Sequence, residues 1–120
     1  NIEDMKVTCT PVPYTEVYMV GDGTPVGWSI ENAKLLEWDY TQGAYVYEGQ
    51  LNAGEMKLPL RKDWNADTLM PFEANADPMK DNRVVLVINA NPDKKWKIAE
   101  EGQYRMILDV NAMTITLEKL

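Results

Sequence analysis

A period of two is the feature that most constrains this chain. "AYVYEGQL" sets Tyr45, Tyr47, Gly49 and Leu51 against Ala44, Val46, Glu48 and Gln50. Such alternation describes a strand with one face towards a core, because successive strand side chains point to opposite sides. "EMKLPL" repeats it, with Met56, Leu58 and Leu60 on one face and Glu55, Lys57 and Pro59 on the other. Pro59 has no N–H to give a ladder, so this strand is expected at an edge or bulged there. "GQYRMILDV" and "AMTITLEKL" form the clearest pair, connected through residues 109–112 as a hairpin. In the second of them Met113, Ile115 and Leu117 face inward while Thr114, Thr116 and Glu118 face out. "RVVLVI" is an unbroken apolar run, read as a strand buried on both sides. "TEVYMVG" reads as a strand ending at Gly21, Asp22 and Gly23, and "MKVTCT" as another that buries Cys9 as an inert thiol. No stretch sustains a helical stripe. Seven or eight short strands with turn signals predict an all-β fold, an immunoglobulin-like β-sandwich.

The 120 residues suit one domain covering the whole chain. A domain of this size buries roughly two-thirds of its unfolded surface, enough for a core without staples. No apolar run reaches the length of a membrane helix, so this segment is not expected to insert into a bilayer. The chain begins at Asn1 rather than Met and is expected to be a processed or trimmed piece. The longest irregular segment is residues 61–82, and a loop of that length in a small domain is usually functional or ordered by a ligand.

Charge and residue types narrow the function. A net charge of -7 argues against nucleic acid and against an anionic membrane surface. There is no histidine, which removes Ser-His-Asp and Cys-His catalysis and nearly all zinc sites. A single Cys9 forms no internal disulfide. Asp63, Asp67, Glu73 and Asp77 lie in one loop, yet nothing in their spacing selects the pair that glycoside hydrolysis needs. Neither "GDGT" nor "NADPMKDN" matches an EF-hand loop. The reading is a protein that is not an enzyme and carries no cofactor and no metal.

Tryptophan is the remaining lead. Trp38 in "LLEWDYTQG" adjoins apolar neighbours and Trp96 in "DKKWKIAEEG" alternates with Ile98, so both read as packing residues. Trp28 in "GTPVGWSIENAK" and Trp64 in "RKDWNAD" sit among turn formers. Each is either a plug on the core or an exposed platform. Lys57 faces away from Met56 and Leu58, hence outward, where a solvated lysine is the plain alternative. Two exposed indoles offer flat apolar surfaces to a sugar ring, and a nearby ammonium donates to its hydroxyls. Such a site fits a neutral polysaccharide. Arg61, Lys62 and Asp63 flank Trp64, and Asn65, Asn75 and Asn89 are amide candidates, although all of these also suit ordinary turns.

"YMVGDGTPVGWSIENA", "YVYEGQLNAGEMKLPLRKDW" and "KWKIAEEGQYRMILDVNAMTITLEKL" together resemble the domains of the SusE/SusF outer-membrane starch-binding proteins, from about Thr15 to Leu120. The resemblance implies an arc of two aromatic residues with a basic residue between them in sequence, and Trp28, Lys57 and Trp64 fall on those positions. Where the family carries an aromatic after the strand lysine this chain has Leu58 and Pro59, which makes Arg61 a second basic candidate. The resemblance further implies non-catalytic capture of starch, another α-glucan or a related polysaccharide or oligosaccharide. It implies a place at the outer-membrane surface, with a lipid anchor outside this segment and other glycan-uptake proteins as partners. The alternative is a structural immunoglobulin-like spacer in such a protein, with Trp28 and Trp64 packed and no glycan site of its own.

Overall fold

The computed structural model describes residues 16–120. The strand expected around Cys9 lies outside the described residues. Eleven short strands follow one another: β1 (Tyr18–Met19), β2 (Lys34–Leu35), β3 (Glu37–Asp39), β4 (Ala44–Leu51), β5 (Gly54–Met56), β6 (Leu58–Pro59), β7 (Thr68–Pro71), β8 (Val84–Val87), β9 (Trp96–Ile98), β10 (Gly102–Asp109) and β11 (Thr114–Lys119). Two single 3-10 turns, Ile30–Asn32 and Ile88–Ala90, are the helical elements among the described residues. The fold is all-β, and every ladder joining these strands is antiparallel.

The largest sheet runs in the order β11-β10-β4-β3. β10 and β4 are its central strands, and the β10–β11 hairpin turn is tied by Asp109 Oδ1 accepting the N–H groups of Asn111 and Ala112 at 3.0 and 2.9 Å. Period two is expressed directly in β10, where Tyr104, Met106 and Leu108 are buried and Gln103, Arg105 and Ile107 are not. On the outer face Arg105 lies opposite both Glu48 and Glu118. Its guanidinium reaches them at 2.8 and 3.5 Å, a cross-strand charge ladder.

Three smaller sheets, β1-β2, β5-β9 and β6-β7-β8, supply the other side of the core. Met19, Met56, Leu58, Leu69, Trp96 and Ile98 from these sheets pack with Leu51, Met106, Leu108 and Ile115 from the large sheet in one buried cluster. The segment expected as one strand, "EMKLPL", is two. β5 pairs with β9, the chain changes partner at Lys57, and β6 pairs with β7. Pro59 ends β6 at the edge of its sheet, as a residue without an N–H requires. The break falls where Lys57 exchanges both backbone hydrogen bonds with Val20.

Two expectations need correction. Residues 61–82 are not one long loop, because β7 crosses them and its residues 68–71 are all buried. β8 is not buried on both sides. It is the outer member of β6-β7-β8, and it leaves Leu86 and the following Ile88 exposed while Val84 and Val87 enter the core.

Candidate functional site

Trp28, Lys57 and Trp64 converge on one face, each carried by a different element. Trp28 follows a closed loop. Gly21 N–H donates to Gly27 O at 2.8 Å, and Thr24 gives both its N–H and its hydroxyl to Gly21 O at 2.9 and 2.7 Å. The loop is stitched to β5 through Gly23 N–H on Glu55 O (2.8 Å) and Glu55 N–H on Asp22 Oδ1 (2.6 Å). That seam needs glycine at position 21. Its φ is 132°, and a Cβ there would overlap the Glu55 carbonyl. The turn chemistry that makes "GDGTPVG" a poor strand therefore holds Trp28 in place.

Trp64 occupies the tip of the β6–β7 connection. Asp63 Oδ1 accepts Asn65 N–H at 2.8 Å, Ala66 N–H reaches Asp63 O at 3.1 Å, and Leu60 N–H closes the base on Asp67 O at 3.0 Å. Ala66 is fully buried beneath this tip while Trp64 stays 41% exposed. Trp28 is 38% exposed, and the two ring centroids lie 6.1 Å apart with planes at 42°. The rings thus form a bent apolar surface rather than a flat one.

Lys57 corrects the sequence reading. It does face away from Met56 and Leu58, yet it is not solvated: its side chain is 7% exposed. The indoles and Asp93 cover it. Its Nζ stands 6.0 Å from the Trp28 ring centre and 5.2 Å from that of Trp64, within cation–π range of both. It donates to Asp93 Oδ1 at 2.9 Å. Asp93 Oδ2 accepts from Lys95 Nζ at 2.8 Å, and that ammonium lies 5.8 Å from the Trp28 ring centre. Partial burial pushes the Asp93 carboxyl up, but hydrogen bonds and charge from Lys95 and Lys57 outweigh it and hold the group below the ordinary carboxylate range.

These side chains line an open depression of about 620 Å³, together with Glu55, Asn65 and the 89–91 turn. The turn is anchored by Asn89 N–H on Asp67 Oδ1 at 2.9 Å. Asn65 and Asn89 thus join the site. Arg61 and Lys62 are exposed and do not line it, and Lys62 lies instead over the Tyr18 ring at 5.7 Å. Asn75 gives its N–H to Lys95 O and also stands outside it. Trp38 packs edge-on against Tyr45 at 5.0 Å, and Trp96 is fully buried.

Asp93 and Lys95 were missed from the sequence. A signal existed for Lys95 alone. The β5–β9 ladder ends where Met56 pairs with Trp96, and Lys57 and Lys95 are the next residues beyond it on the two strands. The alternation that turns Lys57 from the core therefore does the same for Lys95. No family model, curated protein or solved structure matches this chain.

Proposed function

We propose that this chain is a non-catalytic carbohydrate-binding domain, an immunoglobulin-like sandwich that captures a neutral polysaccharide on the Trp28–Trp64 surface. The observation that carries this reading is the pair of half-exposed indoles on one face, with ammonium groups within cation–π range of them and amides around them. Sugar rings present apolar C–H faces and polar rims, and an indole beside a hydrogen-bonding group complements both. The core shared between the large sheet and the smaller ones supports the sandwich. The motifs that resemble SusE/SusF domains favour starch or another α-glucan as the ligand, and the outer surface of the outer membrane as the location. Under this reading other glycan-uptake proteins there are partners.

Binding without turnover fits the carboxylates nearby. Asp63 and Asp77 each accept a backbone N–H two residues on, at 2.8 Å, and Asp67 accepts the Asn89 N–H at 2.9 Å, so all three are engaged by the backbone. One shallow wet site recovers little of the cost of association, so weak affinity is expected, with avidity where several such modules act together. The spacer alternative requires packed indoles, and their exposure favours the platform. A glycan array tests the proposal. Retention by α-glucan or a related neutral glycan is expected, and a blank array overturns it.

A further inference from the structure

The two lysines of the site share one acid. Each Asp93 oxygen is held by one ammonium, Lys57 on Oδ1 and Lys95 on Oδ2, at 2.9 and 2.8 Å. The Asp93 side chain is nevertheless 47% exposed and lines the depression beside both rings. Glu55 lines it as well, so two lysines meet two carboxylates and the local charge cancels. A carboxylate has about four lone-pair positions, of which the lysines use two, so Asp93 retains acceptor capacity. Asp93 and Lys95 thereby form an acceptor–donor row along the indoles, backed by the largely covered Lys57 ammonium. Such a row suits hydroxyl groups, which both donate and accept.

We infer that Asp93 sets the charge preference of this site, admitting uncharged glycans and turning away those that carry uronic acids. The inference rests on the glycan-binding reading above. A uronate stacked on Trp28 or Trp64 would find both ammonium groups already matched and a carboxylate beside it. Like charges at that distance repel, and the chain's net charge of -7 adds to the repulsion. Removing the Asp93 charge while keeping its shape leaves two ammonium groups against the single carboxylate of Glu55, a net positive site that favours acidic sugars.

Affinity electrophoresis of the full chain decides this, in gels containing a panel of neutral polysaccharides that includes soluble starch, or containing polygalacturonate. Wild type is expected to be retarded by at least one neutral polysaccharide and not by polygalacturonate. Asp93→Asn is expected to gain affinity for polygalacturonate of about five- to tenfold, the factor one unit charge makes near a hydrated surface. Adding Trp64→Ala should remove that gain. If Asp93→Asn gains nothing while wild type still binds a neutral glycan, this inference falls and the glycan-binding reading stands. Persistence of the gain in the double variant also overturns it, because the attraction is then general charge and not this site. Wild type retarded by no neutral polysaccharide in the panel overturns both.

Discussion

The Trp28 and Trp64 rings face one another at 6.1 Å although they come from different loops, one before β2 and one between β6 and β7. Neither ring is buried. The Trp28 loop is tied within itself and to β5, and the Trp64 tip within itself and at its base, so their juxtaposition is a property of the sheets that carry the loops.

That arrangement separates binding from stability. Trp64→Ala should abolish retardation by the cognate polysaccharide, while the thermal midpoint falls by no more than about 4 °C. Trp96→Ala should do the reverse to stability. Its ring is fully buried, and truncation costs about 3–5 kcal/mol, or roughly 10–20 °C in midpoint. Trp96→Phe should cost much less, because the Trp96 indole N–H has no partner among the described residues. Unchanged retardation in Trp64→Ala would falsify the proposed surface.

Lys57 tests whether an ammonium is needed under the rings. Lys57→Met keeps a stem of similar length, and Asp93 keeps Lys95, so the midpoint is expected to stay within about 4 °C of wild type. Retardation by the glycan should weaken. Lys57→Glu instead sets a buried carboxylate against Asp93 and should cost about 3 kcal/mol in a denaturant titration. Full binding by Lys57→Met would show that the rings alone recognise the ligand.

Two glycines with positive φ should behave differently. Gly21→Ala places a methyl group against the Glu55 backbone, and a loss of about 2–4 kcal/mol together with weakened binding is expected. Gly43→Ala meets open space at φ 64°, so only the left-handed backbone penalty of about 1 kcal/mol applies, with binding intact. Equal losses at the two positions would contradict the close seam between the Trp28 loop and β5.

Asp81 gives a pH signature away from the site. The Arg83 guanidinium donates to its two oxygens at 2.9 and 2.7 Å, and the Arg83 N–H adds a third bond. These hydrogen bonds lower its pKa to about 2. A depressed carboxyl stabilises the fold above its unfolded value and loses that contribution as pH falls through the folded one. Carbon-13 titration should therefore place the Asp81 midpoint near 2. In Arg83→Gln it should return towards the ordinary value of about 3.9. A wild-type midpoint at the ordinary value would show that the pair does not form in solution.

What the sequence made legible was local. Alternation in "AYVYEGQL" and in the final two strands sufficed to locate β4, β10 and β11, because each buries one face against a core. β7 escaped because "TLMP" is short and ends in proline, and its burial depends on neighbours distant in sequence. "RVVLVI" misled because apolar content does not say whether a strand is central or at an edge. For Lys57, alternation supplied the face but not what covers it. Lys95 needed the β5–β9 register, a non-local pairing that no short motif announces.

The self-closure of the Trp28 loop and of the Trp64 tip has a consequence for how such a domain diversifies. The Trp64 tip is tied within itself and at its base, and the Trp28 loop within itself and to β5, so their outermost residues can change without shifting the ladders beneath. Loop grafting between scaffolds of this kind should then transfer the aromatic surface as a unit, while the charge preference stays with Asp93 and Lys95 of the frame. Over evolutionary time recognition can drift quickly on a frame that changes slowly.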